Sequence, residues 1–220
     1  MKYQLAIFDL DGTLLDTTQG ILKSVEYTIQ HFGLPPLSHD ILLSFIGPPI
    51  QESFAKVYGL SGSILQEIAS IFRTNYSSYN LLKANPYNGI YDLFQRLSDM
   101  GIQTAIATYK REDYALTLLK HFDFYQYTNI MYGGDNENKL KKKDIIIKCI
   151  KTSKINDYNS VVMIGDTLHD AIGAMELNLD FIAVTYGFGF KQETYKDNHY
   201  LGYANAPIDI LNLIIQNDEN

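Results

Sequence analysis

Short apolar runs alternate with helical patterns over most of the chain. Runs typical of buried strands lie at residues 5–8, 103–107, 129–132, 161–164 and 181–184. Between them, apolar side chains recur every three or four residues, as in Ile90, Leu93, Phe94 and Leu97, which is the period of an amphipathic helix. This alternation predicts an α/β fold with a Rossmann-like, doubly wound parallel sheet and helices on both of its faces.

One long segment, residues 16–86, breaks this alternation because it has no strand-like run. Its helical patterns cover residues 18–32, 39–45, 49–58 and 61–79, and stretches containing glycine or proline separate them. We therefore expect residues 16–86 to form an all-helical cap domain on the carboxyl edge of the sheet. Residues 1–15 and 87–220 are expected to form the α/β core domain.

Polar side chains follow several of the predicted strands, at the point where each strand ends. Asp9 and Asp11 follow the first strand, Thr108 follows the second, and Asp166 and Asp170 follow the fourth. A lysine-rich run, residues 139–143, comes after the third strand. Ligands of open α/β sheets bind beyond the carboxyl ends of the strands, so the sequence predicts that these groups share one site.

The residue types at this site predict phosphoryl transfer assisted by a metal ion. Its carboxylates outnumber its cations, which favours a hard divalent cation such as Mg2+ as the counter-ion. Asp9 is placed to attack a phosphoryl group, and Asp11 can exchange a proton with the leaving oxygen and with water. Thr108 and a lysine would donate hydrogen bonds to the phosphoryl oxygens.

The same residues have simpler interpretations. A calcium-binding EF-hand that begins at Asp9 would need glycine at position 14 and glutamate at position 20, where the chain has Leu14 and Gly20. The sequence after Asp9 could also be only a turn, and Asp166 could only cap a helix. The recurrence of polar groups at successive strand ends favours a functional site.

Composition restricts the class of protein further. The formal net charge is −7 and the pI is about 5.1, which argues against a general nucleic-acid binder. Cys149 is the only cysteine, so the chain cannot form an internal disulfide and fits a reducing compartment. No apolar stretch approaches the roughly 18 residues that a membrane span requires. We expect a cytoplasmic protein that has no membrane or nucleic-acid partner.

Two long motifs resemble the haloacid dehalogenase superfamily, and most closely its phosphoglycolate phosphatase-like branch with a helical cap. They are residues 8–17 (Phe-Asp-Leu-Asp-Gly-Thr-Leu-Leu-Asp-Thr) and residues 164–174 (Ile-Gly-Asp-Thr-Leu-His-Asp-Ala-Ile-Gly-Ala). The resemblance implies that Asp9 is the nucleophile and Asp11 the general acid and base. It also implies that Asp9, the backbone carbonyl of Asp11 and Asp166 hold Mg2+. Asp170 would support the metal either through a bound water or by contacting one of the direct ligands.

The second and third motifs of that branch are matched less fully. Thr108 corresponds to the hydroxyl of the second motif, but Tyr109 stands where asparagine is usual. Lys142 corresponds to the lysine of the third motif because it lies two residues before Asp144, and Lys143 is the alternative.

The resemblance implies a magnesium-dependent phosphatase that acts on a small phosphorylated metabolite such as phosphoglycolate through an aspartyl-phosphate. A monomer and a homodimer are both compatible with it. The alternatives on the same core are a sugar phosphomutase, a pyrophosphatase and a 5'-nucleotidase. Asp11 argues against a dehalogenase, and the complete set of motif residues argues against a non-catalytic binding module.

Overall fold

The structure is a computed structural model that describes residues 2–136, 139–190 and 199–217. Its strands are β1 (Leu5–Phe8), β2 (Leu15–Asp16), β3 (Asn85–Pro86), β4 (Gln103–Arg111), β5 (Met131–Gly134), β6 (Val161–Gly165), β7 (Asp180–Val184) and β8 (Tyr200–Ala204). Its α-helices are α1 (Thr18–His31), α2 (His39–Leu43), α3 (Ile50–Tyr58), α4 (Ile64–Asn75), α5 (Ile90–Asp99), α6 (Glu112–His121), α7 (Lys142–Ser153), α8 (Leu168–Met175) and α9 (Pro207–Gln216).

Six parallel strands form the central sheet, in the order β5-β4-β1-β6-β7-β8. β1 lies between β4 and β6, with Leu5 opposite Gln103 on one side and Val161 on the other. The predicted α/β fold with a Rossmann-like parallel sheet is therefore confirmed. This strand order brings the carboxyl ends of β1, β4 and β6 side by side.

The sheet is buried on both faces, which explains why its strands are continuous apolar runs. Successive side chains of β1 alternate between two hydrophobic cores: Phe8 packs into one of them and Ile7 into the other. On the first face Phe8 contacts Phe94 of α5, with ring centroids 4.9 Å apart. The second face is covered by buried side chains of α7, including Ile146. The ends of the strands are thus fixed from both sides.

Residues 18–80, here called the helical segment, contain α1 to α4 and a π-helical turn at Tyr76–Asn80. A separate two-stranded antiparallel sheet flanks this segment: Leu15 of β2 pairs with Pro86 of β3, and Asp16 pairs with Asn85. The division of the chain into a core domain and a cap domain stays a prediction. Among the described residues, no helix is both long and apolar enough to cross a membrane.

The structure differs from the sequence-based boundaries at several elements. β5 lies at Met131–Gly134 rather than at residues 129–132, α2 ends at Leu43 rather than at residue 45, and the short strand β3 lies in the segment expected to be all-helical. β4 continues past residue 107 to Arg111, which pairs with Gly134 after an irregularity in the ladder. The helix expected at 61–79 is instead α4 followed by the π-helical turn. β8 was not predicted, because this edge strand is only half-buried and contains Gly202, so it lacks a continuous apolar run.

Candidate active site

Two adjacent strand ends place the aspartates at the centre of the site. Asp9 directly follows β1 and Asp166 directly follows β6. The backbone N–H of Asp9 donates to the carbonyl of Ile164 over 2.9 Å, so the last ladder contact fixes one aspartate beside the other. Their exposed fractions are only 6% and 0%. Neither carboxylate can rely on bulk water for solvation.

Asp9, Asp166 and Asp170 form a compact cluster in which one carboxylate oxygen from each lies within 4.8 Å of the others. Asp170 lies in the first turn of α8, where its Oδ2 accepts hydrogen bonds from the backbone N–H and the hydroxyl of Thr167, over 3.0 and 2.7 Å. Oδ2 of Asp166 accepts from the backbone N–H of Phe188 over 2.8 Å. The other oxygen of Asp166, Oδ1, is buried and has no hydrogen-bond partner among the described residues.

Lys142 is the cation of this cluster. Its Nζ lies 2.6 Å from Oδ1 of Asp9 and 2.5 Å from Oδ1 of Asp170, and the residue is 2% exposed. Gly173 of α8 leaves room for the lysine stem, because a Cβ there would lie 2.8 Å from Cγ of Lys142. Lys143 instead points to Glu176 at 3.3 Å, with 36% of its side chain exposed. Of the two lysines considered, the structure brings Lys142 to the aspartates.

The electrostatics of the cluster call for more positive charge than Lys142 supplies. Burial raises the pKa of Asp9 to about 7; Lys142 opposes this shift and Asp170 adds to it. Burial also raises the pKa of Asp166 well above its usual range, and repulsion from Asp170 and Asp9 adds to the shift. The donor set is three buried carboxylates, and Oδ1 of Asp166 has neither a hydrogen-bond nor an ion-pair partner among the described residues, which suits a hard divalent cation.

Asp11 has a separate environment. Its Oδ1 accepts a hydrogen bond from the Thr17 hydroxyl over 2.7 Å, and its Oδ2 lies 3.0 Å from Nζ of Lys110. Lys110 also donates to the hydroxyl of Tyr76 over 3.0 Å. Burial lowers the pKa of Lys110, but attraction by Asp11 and Tyr76 outweighs it and the pKa is raised. The sequence shows that Lys110 follows the second strand, but no local pattern predicts its contact with Asp11.

Thr108 and Tyr109 occupy the end of β4. Thr108 is buried, and its hydroxyl accepts a hydrogen bond from the backbone N–H of Lys110 over 3.1 Å. The hydroxyl of Tyr109 accepts from the backbone N–H of Lys142 over 2.9 Å. The Tyr109 ring meets His169 edge to face at 5.3 Å. The tyrosine that replaces the expected asparagine therefore contacts the first residue of α7.

Gly12 allows the loop after β1 to lie close to Asp166 in the loop after β6. Its φ of +83° lies in the left-handed region, and a Cβ at this position would lie 2.6 Å from Cγ of Asp166. A side chain here would therefore strain the backbone and displace the carboxylate.

A cavity of about 90 Å³ opens beside Asp11, between the sheet edge and the helical segment. The sheet edge contributes polar and aromatic groups, and the helical segment contributes mainly apolar ones. Its lining includes Tyr109, Lys110, Arg111 and Tyr114 on one side and Phe45, Pro48, Phe72, Arg73 and Tyr76 on the other. The cavity offers a small, partly apolar space next to the Asp11 carboxylate.

Several curated proteins are similar to this chain over most of its length, and their names give different activities. A 5'-nucleotidase from Pseudomonas aeruginosa is 30% identical over 202 residues, which cover 91% of this chain and 91% of that protein. A phosphoglycolate phosphatase from Agrobacterium fabrum is 31% identical over 191 residues, covering 84% and 81%. Tyrosine-protein kinase PtkA from Mycobacterium tuberculosis is 32% identical over 187 residues, and the match spans 84% of this chain but only 63% of that protein.

A solved structure from Clostridium acetobutylicum, described as a predicted phosphatase, superposes with a TM-score of 0.88 at 31% identity, covering 99% of this chain and 100% of that one. The sequence profile of haloacid dehalogenase-like hydrolases matches residues 6–184, which include every aspartate of the site. The resemblance stated from the motifs is therefore confirmed. This chain belongs to the haloacid dehalogenase-like hydrolase family.

Proposed function

We propose that this protein is a magnesium-dependent phosphatase that hydrolyses a small phosphomonoester through a covalent intermediate on Asp9. The observation that carries the proposal is the buried carboxylate cluster, in which Lys142 contacts Asp9 and Asp170 while Oδ1 of Asp166 has no hydrogen-bond partner among the described residues. The chain's kinship with proteins named phosphatases supports the same class of reaction.

The cluster suits Mg2+ as the missing positive charge. Asp9, Asp166 and the backbone carbonyl of Asp11 would hold the ion. Asp170 would support it through a bound water or by contacting one of these ligands. When bound, the ion offsets the negative charge of the carboxylates and polarises the phosphoryl oxygens. Lys142 already neutralises part of the negative charge of the cluster. A phosphate dianion can therefore approach Asp9 with less repulsion between like charges.

In the first half of the reaction, a carboxylate oxygen of Asp9 attacks phosphorus and forms an acyl-phosphate. The bond between phosphorus and the leaving oxygen breaks, and its electron pair stays on that oxygen. Asp11, in its protonated form, donates a proton there, and the alcohol departs. Lys142 and the hydroxyl of Thr108 would stabilise the equatorial oxygens, where charge is high in the transition state.

In the second half, Asp11 is a carboxylate and takes a proton from water as the water attacks phosphorus. The acyl-phosphate bond breaks, Asp9 is regenerated and phosphate leaves, which balances the overall hydrolysis. In the structure both oxygens of Asp11 are engaged, by Thr17 and by Lys110. This is the environment of a carboxylate, so it matches the form that accepts the proton from water.

The substrate is proposed to be a small phosphorylated metabolite. The cavity beside Asp11 is about 90 Å³, whereas pockets for drug-sized ligands span about 300–1,000 Å³. A small leaving group, as in phosphoglycolate, matches the volume of this cavity.

The experiment measures phosphate release from p-nitrophenyl phosphate and from a panel of small phosphate esters, with Mg2+ and with EDTA. Wild-type protein is expected to release phosphate only with Mg2+. Asp9→Asn should lower kcat at least about 10³-fold while the protein remains folded, because the amide cannot form the acyl-phosphate. Asp157→Asn is the matched control, since Asp157 is exposed and its side chain only accepts a hydrogen bond from the backbone of Asn159.

Two outcomes would contradict the proposal. Substantial activity in Asp9→Asn would show that another group is the nucleophile. Isomerisation of a sugar phosphate without net release of phosphate would assign the chain to mutase chemistry instead.

A further inference from the structure

Arg73 is a cation that neither the fold nor the proposed reaction explains. It lies on α4, is half-buried, and lines the cavity beside Asp11. Its backbone carbonyl accepts a hydrogen bond from the hydroxyl of Tyr114. Its guanidinium makes no hydrogen bond or ion pair with any residue that the structure describes.

The other two cations of the cavity already have acidic partners. Lys110 contacts Asp11 at 3.0 Å, and Arg111 contacts Asp113 at 2.5 Å. Burial lowers the pKa of Arg73 and the positive charge of Arg111 lowers it further, and these two effects outweigh the attraction by Tyr114 and Asp113. Arg73 is therefore partly desolvated and repelled by its neighbour, a combination that a ligand anion would relieve.

The walls around Arg73 are aromatic and mutually packed. The rings of Phe72 and Tyr76 stack with centroids 5.6 Å apart, and Tyr76 meets Tyr114 edge to face at 5.7 Å. The guanidinium of Arg111 lies over the Tyr114 ring at 3.8 Å. These contacts hold the cationic side of the cavity in place and leave a space of only about 90 Å³.

We infer that Arg73 binds a second anionic group on the leaving-group side of the substrate. The preferred substrates are then small phosphate compounds that carry a carboxylate or a second phosphoryl group in addition to the one transferred. A planar guanidinium can bind either group through two parallel hydrogen bonds. The inference rests on the proposed function, because the role of Asp11 as acid defines where the leaving group lies.

The test compares kcat/KM for phosphoglycolate, pyrophosphate and 2-hydroxyethyl phosphate, all with Mg2+. Phosphoglycolate and 2-hydroxyethyl phosphate differ mainly in whether a carboxylate or an alcohol ends the leaving group. Wild-type protein should prefer at least one of the two anionic compounds. In Arg73→Gln, the ratio of kcat/KM between that compound and 2-hydroxyethyl phosphate should fall about 10–150-fold, the range expected for a lost charge-assisted hydrogen bond.

Two further variants make the result specific. Arg73→Lys retains the charge and should recover part of the ratio. Arg96→Gln removes an exposed arginine on α5 and should leave the ratio unchanged. Thermal unfolding of each variant checks that the fold survives. A fall for phosphoglycolate alone identifies a carboxylate as the bound group, a fall for pyrophosphate alone identifies a phosphate, and a fall for both identifies a shared anion subsite.

The inference is overturned if wild-type protein prefers 2-hydroxyethyl phosphate, or if Arg73→Gln leaves the ratio unchanged. p-Nitrophenyl phosphate separates this failure from a failure of the proposed function. If wild-type protein hydrolyses that ester with Mg2+ but the ratios do not respond to Arg73, only the anion subsite is wrong. If no phosphate is released from any probe, the phosphatase assignment and the subsite are both wrong.

Discussion

Replacing Lys142 with methionine tests the electrostatic account of the site most directly. Methionine keeps much of the apolar stem but removes the ammonium that lies 2.6 Å from Asp9 and 2.5 Å from Asp170. Removing one member of a buried ion pair costs about 3–5 kcal/mol, since the remaining charge is left uncompensated. For a chain of this size the loss corresponds to a fall in Tm of about 6–20 °C. Lys142→Met should also lower kcat, because the same ammonium is proposed to contact the phosphoryl group.

The assay is urea unfolding in EDTA, repeated with excess Mg2+. Without the lysine the three carboxylates carry more uncompensated negative charge. Mg2+ should therefore raise the unfolding free energy of Lys142→Met by more than it raises that of wild-type protein, as linkage requires for a tighter ligand of the native state. Lys143→Met is the matched control. Its ammonium lies 3.3 Å from Glu176 and 36% of its side chain is exposed, so its loss should cost less than about 1 kcal/mol.

The reasoning is refuted if Lys142→Met and Lys143→Met lose the same free energy in EDTA. It is also refuted if Mg2+ stabilises Lys142→Met no more than wild-type protein. Either result would mean that water or proton uptake, rather than Lys142, compensates the carboxylates.

Two further substitutions test the geometry around this cluster. Gly12→Ala should destabilise the fold by about 1–3 kcal/mol and remove most activity, because a Cβ there strains the backbone and collides with the Asp166 carboxylate. Gly33→Ala, also at positive φ but with no atom within 4 Å of the added Cβ, is its control for urea unfolding and kcat. Tyr109→Phe removes the acceptor for the Lys142 backbone N–H, and should cost about 0.5–1.5 kcal/mol in urea unfolding; no change in stability would contradict a role in fixing the start of α7.

The central part of the fold was predictable because local pattern and tertiary structure agree there. β1 is a four-residue apolar run that ends immediately before Asp9, and β1 begins and ends where the sequence predicts. β6 shows the same arrangement before Asp166 and extends only to Gly165. Strands buried on both faces must be continuously apolar, so their ends are visible in the sequence. The adjacency of the two aspartates then follows from parallel pairing.

Other features depend on contacts between distant segments and leave no local signal. Lys110 meets Asp11 and Tyr76 only because β4 runs beyond its apolar part and the π-helical turn packs against it. In the sequence, Arg73 is an ordinary polar residue of a predicted helix. Only the packing of α4 shows that it lines the cavity. The choice between Lys142 and Lys143 likewise required the structure, since neighbouring residues on a helix differ mainly in direction.

The antiparallel pairing of β2 and β3 affects how the sequence of this protein can evolve. Because Leu15 lies opposite Pro86, the two ends of the helical segment lie close together. Lengthening a segment whose ends already lie together costs little free energy, because each doubling of a flexible loop adds about 0.6 kcal/mol of closure entropy. Under the proposed function, insertions, deletions or exchange of the intervening helices would alter which leaving group is admitted while Asp9 and Asp166 keep their positions. Substrate selectivity, placed in the helical segment, could then evolve separately from the catalytic residues at the strand ends.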